Sequence, residues 1–154
     1  LEGDLGLLGR LLHFFGATGV TLTTRAESPA GAGIAGSSAL NIAVAGALNR
    51  WTGAGYDEDA LLEIAQNVEA QAIKVPTGAQ DYPPALFGGV AALELAVDGV
   101  RRVPLDVDPV ELGRRLVLVY TGAPRQSAPQ PMPPVSGICS RHTESVSTSL
   151  VVDS

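Results

Sequence analysis

Residues 28–40 read S-P-A-G-A-G-I-A-G-S-S-A-L and combine three closely spaced glycines with two adjacent serines. Because glycine has no side chain, such a loop lets successive backbone N–H groups surround an anionic oxygen. The apolar run at 37–49 predicts a buried helix, whose unpaired N–H groups and positive dipole end add to the attraction. The segment therefore predicts a cradle for phosphate groups. Its members are Gly31, Gly33, Gly36, Ser37 and Ser38.

The same loop has other interpretations. The spacing G-x-G-x-x-G is typical of a Rossmann dinucleotide site, but that site needs a second strand after the helix, and 51–72 reads as loop and helix. A Walker loop is excluded because no Gly-Lys-Ser/Thr follows the glycines. Ser37 and Ser38 could also be simple helix caps, and from the loop alone a cap and a phosphate or metal contact are equally acceptable.

Periodicity predicts the elements that would position this loop. Apolar residues recur at helical spacing in two further segments, and β-branched or apolar runs bounded by turn residues indicate strands. Asp57 is a candidate cap for the second of these helices, and Asp98-Gly99 is a hairpin signal. We expect helices at 4–15, 37–49 and 58–72, strands at 20–26, 90–97, 100–105 and 116–120, and a helical turn at 109–114.

Composition limits the class of protein. The chain has 154 residues, enough for one domain, and its net charge of −6 with scattered basic residues argues against a nucleic-acid surface. A lone cysteine excludes an internal disulfide, and no apolar run approaches the length of a membrane span, so we expect a cytoplasmic protein. Five of the eleven prolines fall within 124–134, so 123–154 is expected to be a low-complexity, disordered tail with a short strand allowed at 146–152.

Three segments in order resemble the GHMP kinases, a family that includes galactokinase and the homoserine, mevalonate and heptose kinases. P-A-G-A-G-I-A-G-S-S-A-L at 29–40 resembles the family's phosphate-binding motif, with Ile34 in place of the usual leucine. G-A-Q-D-Y-P-P-A-L-F-G-G at 78–89 is similar to a second motif of the sugar-kinase branch. L-V-L-V-Y-T-G-A-P-R-Q-S at 116–127 resembles the strand and loop that follow.

The resemblance implies an α+β fold, the two-layer N-terminal domain of these kinases, related to domain 2 of ribosomal protein S5 and containing a left-handed βαβ crossover. We expect it at 1–122 as a partial domain. It implies ATP-dependent phosphorylation of a small-molecule hydroxyl, with a sugar or sugar phosphate as the acceptor. Ser38 and Glu69 are implied as Mg²⁺ ligands and Asp81 as the catalytic base.

Each of these residues also has a structural interpretation. Glu69 could be a solvated carboxylate on a helix surface, Asp81 could cap a turn, and Gln80 could orient either Asp81 or the acceptor. Lys74 is expected at the surface. The family's first substrate motif and its C-terminal glycine motif are not found, so the alternative function is an inactive piece of a longer protein that binds a nucleotide or another anion. The oligomeric state is left open.

Overall fold

Five helices and four strands form the described part of the chain, which in this computed structural model comprises residues 4–97, 99–123 and 146–152. The helices are α1 (Asp4–Phe14), α2 (Gly36–Thr52), α3 (Glu58–Ile73), α4 (Tyr82–Phe87) and α5 (Pro109–Arg114). The strands are β1 (Val20–Ala26), β2 (Ala91–Ala96), β3 (Gly99–Pro104) and β4 (Val146–Val152). This content confirms the predicted α+β class.

The core lies where α1, α2 and α3 pack together. Leucines at positions 7, 8, 11 and 12 give α1 one apolar face, which meets Val44 and Leu48 of α2 and Val68 of α3. Each fully buried aliphatic side chain of this kind stabilises the fold by about 1.5–3 kcal/mol. Helix α3 therefore has a fixed place beside α2, and this packing sets the distance between the residues that face each other across the two helices.

Helix α3 begins at the predicted cap, because the side chain of Asp57 accepts a hydrogen bond of 2.9 Å from the backbone N–H of Ala60. We expect Asp57→Ala to lower the free energy of unfolding by about 1 kcal/mol, the usual effect of losing an N-cap. Urea unfolding followed by circular dichroism would measure it. Asp106→Ala, a change in an exposed loop, is the control and should stay within about 0.5 kcal/mol of the parent; an equal loss in both variants would contradict the assignment.

The strands form two separate antiparallel pairs. β2 pairs with β3 from Ala91↔Pro104 to Ala96↔Gly99, which confirms the predicted hairpin. β1 pairs with β4, so the strand allowed at 146–152 is present and the expectation of a disordered tail is wrong for that segment. Residues 124–145 and 153–154 lie outside the described residues. The described strands do not form one shared sheet, so the two-layer arrangement with a left-handed crossover stays a prediction.

The predicted strand at 116–120 is wrong. These residues have no regular secondary structure, and the side chains of Leu116, Val117, Leu118 and Val119 are 65–89% exposed. A strand is stable only when a neighbouring strand pairs with its backbone and another element covers its apolar face. Neither a paired strand nor a covering helix lies along this run in the part of the chain that the structure describes.

The segment 53–89 lacks the second strand of a Rossmann unit. After α2 the chain passes through a loop into α3, as the sequence predicts, and then reaches the short helix α4, which is not among the helices that the sequence predicts. Prolines fit the first turn of a helix because the N–H that they lack has no partner there.

Among the helices that the structure describes, none combines the length and apolar character that crossing a membrane requires.

Candidate functional site

One cavity of about 480 Å³ brings the predicted site residues together. Its walls come from the end of β1, the glycine loop, the first turn of α2, the last two turns of α3 and the loop that leads to α4. The predicted residues that line it are Gly31, Gly33, Gly36, Ser37, Ser38, Glu69 and Asp81. Asp81 is distant from the glycines in sequence, so the fold itself is responsible for placing both in one cavity.

The glycine loop has the backbone geometry that its composition predicts. Gly31 and Gly33 adopt positive φ angles of 71° and 74°, a region that side chains disfavour. Helix α2 then starts at Gly36, where a Cβ atom would lie only 3.2 Å from the Ser28 hydroxyl oxygen. The loop and the open N-terminus of α2 therefore border the same space, as a phosphate cradle requires.

Ala35, the N-cap residue of α2, is left-handed at φ 59° and ψ 30° although it is not glycine. This conformation costs an L-residue about 1–2 kcal/mol, whereas the extra backbone freedom of glycine in the unfolded chain costs about 0.4–1 kcal/mol. We therefore expect Ala35→Gly to raise the free energy of unfolding by about 0.5–1 kcal/mol, measured by urea unfolding. Ala32→Gly in the same loop, where φ is not positive, is the matched control and should destabilise; the same sign in both would refute the explanation.

The two serines do not act as helix caps. They are the second and third residues of α2, and their hydroxyls donate to the Glu69 carboxylate instead. Ser37 Oγ lies 2.8 Å from Glu69 Oε1, and Ser38 Oγ lies 3.3 Å from Glu69 Oε2. Glu69 is only 6% exposed, so its interpretation as a solvated helix carboxylate is also wrong. A carboxylate this buried needs such partners, because burying an unpaired charge is costly.

Tyr82, which sequence reasoning missed, is a third partner of Glu69. Its ring is fully buried and its hydroxyl donates to Glu69 Oε2 at 2.5 Å. Burial, and secondly this hydrogen bond, raise the pKa of Tyr82 well above its usual range, while Thr77 and Ser38 act in the opposite direction. The tyrosine therefore stays a neutral donor. Its position directly after Asp81 in an aromatic-poor chain was the available signal.

Asp81 lies at the cavity end of α4. It is half-buried and occupies the N-cap position, yet its side chain makes no capping hydrogen bond with that helix. The interpretation of Asp81 as a turn cap is therefore not supported, and its carboxylate is available on the cavity wall. Gln80 also lines the cavity, whereas Lys74 is exposed at the C-terminal end of α3, as expected.

Three more hydroxyl side chains on the wall were not predicted. Thr24 lies on the inner face of β1, Ser28 begins the glycine loop, and Thr77 lies in the loop before Asp81. The alternation of β1 could have assigned Thr24 and Ala26 to one face, because side chains on a strand alternate. Nothing in the local sequence indicated that this face borders the glycine loop.

The oxygen donors of Ser38 and Glu69 on the cavity wall suit a hard cation. Mg²⁺ prefers oxygen ligands and is commonly held by one or two carboxylates together with substrate phosphates. Ser38 and Glu69 offer a hydroxyl and a carboxylate side by side at the edge of the phosphate cradle. Within the described ranges no group of three or more His, Cys, Asp or Glu side chains could hold a metal. The predicted pair thus fits a cation that is shared with bound phosphates.

Comparison with known proteins identifies similar sequences. A family model described as the GHMP kinases N terminal domain matches residues 5–89, more than half of the chain and the whole of the cavity wall. The D-glycero-alpha-D-manno-heptose 7-phosphate kinase of Campylobacter jejuni subsp. jejuni serotype O:2 is 31% identical over 113 residues, which are 70% of this chain and 33% of that protein. The chain therefore spans about a third of the length of this curated relative. No solved structure matches the chain.

Proposed function

The chain belongs to the GHMP kinase family, and on that premise we propose that it carries the nucleotide site of an ATP-dependent small-molecule kinase. The observation that supports this most directly is the shared cavity, in which a glycine cradle, a Ser–Glu pair and a separate aspartate face one space. Phosphoryl transfer requires phosphates held in line, a cation that spreads their charge, and a group that takes the acceptor proton. The cavity has a candidate for each requirement.

The glycine loop and the start of α2 would hold the phosphates of ATP. Gly31, Gly33 and Gly36 provide main-chain N–H groups without a side chain to cover them, and α2 adds the positive end of its dipole. No lysine or arginine lines this cavity among the described residues, so the backbone is the principal donor to the phosphates there. Backbone donors are held rigidly by the fold and need no reorganisation when the nucleotide binds.

Ser38 and Glu69 would hold Mg²⁺ together with those phosphates. The Ser38 hydroxyl donates a hydrogen bond to Glu69 and keeps oxygen lone pairs that can face a cation. A bound Mg²⁺ would neutralise part of the negative charge on the transferring group. Ser37 donates a hydrogen bond to the other oxygen of Glu69 and helps to hold the carboxylate in place.

Asp81 would act as the general base. Its carboxylate takes the proton of the acceptor hydroxyl, the acceptor oxygen forms a bond to the γ-phosphorus of ATP, and the bond to ADP breaks so that ADP leaves. Gln80, its neighbour on the cavity wall, is the candidate that orients either Asp81 or the acceptor. We place this chemistry within a nucleotide-binding unit at 1–122.

For the acceptor we propose a sugar or sugar phosphate. The support is the identity of 31% with a protein named as a heptose 7-phosphate kinase, together with the Q-D-Y segment at 80–82. Homoserine and mevalonate, the acceptors of other branches, remain the alternatives to be tested beside it.

A second candidate function is nucleotide or anion binding without catalysis. The observation that favours it is the exposed apolar run at 116–119, because a contiguous exposed apolar segment can mark a surface for association. In that case the cavity would still bind MgATP, but no phosphoryl group would be transferred and no ADP would be formed.

Two measurements separate these functions. Isothermal titration with MgATP should show saturable binding that weakens when Mg²⁺ is chelated. A coupled assay should then show ADP release with a sugar or sugar phosphate such as galactose or a heptose 7-phosphate, and little release with homoserine or mevalonate. Binding without turnover for any acceptor would support the second function. Absence of MgATP binding, or tight binding of NAD, would overturn the proposed nucleotide site.

A further inference from the structure

The fully buried ring of Tyr82 connects α4 to the interface between the two long helices. It forms a small apolar cluster with Ile42 of α2 and Ala65 of α3, and Leu62 and Leu86 pack against this cluster. Tyr82 is the first residue of α4 and directly follows Asp81. The ring therefore anchors the start of α4 to the same helix pair that carries Ser38 and Glu69.

The hydroxyl of Tyr82 is directed at Glu69 although the ring lies in an apolar cluster. A buried phenol needs a hydrogen-bond partner, and its partner here is Glu69 Oε2 at 2.5 Å. Ser37 approaches the other oxygen, and Ser38 approaches the same oxygen as Tyr82. Three donors thus act on both oxygens of one carboxylate, which restricts its rotation about the terminal bond.

We propose that Tyr82 is a positioning residue that holds the Glu69 carboxylate in its metal-binding orientation. The inference rests on the proposed function, in which Glu69 binds the metal of MgATP. Partners that orient a metal-binding carboxylate typically change metal affinity by about 10–100-fold when they are removed. Because Ser37 and Ser38 remain in place, we expect an effect at the lower end of that range.

Tyr82→Phe tests this role, because it keeps the buried ring and removes only the hydroxyl. The whole chain would be titrated with Mn²⁺, a cation with similar oxygen preference, in the presence of a non-hydrolysable ATP analogue, with free Mn²⁺ followed by electron paramagnetic resonance. We expect about tenfold weaker Mn²⁺ affinity and an affinity for the metal-free analogue that changes less than about twofold, since the glycine cradle is untouched.

Tyr56→Phe is the matched control, because Tyr56 is partly exposed and packs against Phe14 and Phe15, away from the cavity. Its Mn²⁺ affinity should equal that of the parent. In a Glu69→Gln background, Tyr82→Phe should cause no further loss, because the carboxylate that it positions is no longer present. This non-additivity is not expected of a tyrosine that merely stabilises the fold.

The outcomes distinguish failure of the inference from failure of the proposed function. If the parent chain does not bind Mn²⁺ together with the analogue, the nucleotide site itself is refuted. If the parent binds and Tyr82→Phe binds equally well, only the role of Tyr82 is refuted. A Tyr82→Phe chain that does not fold, judged by circular dichroism, would assign the hydroxyl to the fold and would also count against the proposal.

Discussion

Asp81→Asn is expected to lower the rate of phosphoryl transfer by about 10²–10⁴-fold, the usual contribution of a positioned general base. Asparagine has nearly the same shape, but its amide cannot take the proton of the acceptor hydroxyl. Nucleotide affinity should change less than about twofold, because in the proposed site the glycine loop and α2, and not Asp81, would hold the phosphates. The rate would be measured as ADP release by the whole protein, and the affinity by isothermal titration with MgATP.

The fold is expected to tolerate this change. The Asp81 side chain makes no capping bond with α4, so its replacement removes no helix contact. Asp106→Asn, in an exposed loop, is the charge-matched control and should keep full activity. Undiminished transfer in Asp81→Asn would refute the base role. A parallel loss of MgATP affinity would instead move Asp81 into the nucleotide site.

Glu69→Gln is expected to weaken MgATP binding by about 100-fold or more, because it removes the charged ligand of the proposed metal site. The affinity for ATP in excess chelator should change little, since the main-chain donors of the glycine loop are left unchanged. Glutamine keeps the size of the side chain, and its carbonyl oxygen can still accept from a hydroxyl. Titration of the parent and of Glu69→Gln with ATP, with and without Mg²⁺, gives the two affinities.

The matched control is Glu63→Gln, which changes an exposed carboxylate on the same helix. It should reproduce the parent in both titrations. If Glu69→Gln weakens ATP binding equally with and without Mg²⁺, the carboxylate supports the loop through Ser37 and Ser38 rather than through a metal. Thermal unfolding of the two variants would show whether the buried hydrogen bonds at position 69 also stabilise the fold.

Local patterns in the sequence were sufficient for most of the secondary structure. The amphipathic spacing of α1, the Asp57 cap of α3 and the Asp98-Gly99 hairpin signal each depend on residues that are close in the chain. The glycine loop is local in the same sense, because its composition alone permits the positive φ angles. Such features follow from backbone sterics and capping, which do not need the rest of the molecule.

The internal arrangement of the site was decided by tertiary structure. Ser37 and Glu69 are 32 positions apart, and only the packing of α2 against α3 shows that the serines bond to a carboxylate rather than cap a helix. In the sequence, Tyr82 is not distinguished from an ordinary residue before two prolines. Its role follows from the packing of its ring against Ile42 of α2 and Ala65 of α3, which is a tertiary contact. The apolar run 116–120 shows the opposite case, since its composition predicts a strand and no described neighbour pairs with it. By itself the sequence determined which segments could form helices, a hairpin and a phosphate loop; which side chains face one another was settled by long-range packing, because hydrogen bonds and strand pairing require partners that local sequence does not contain.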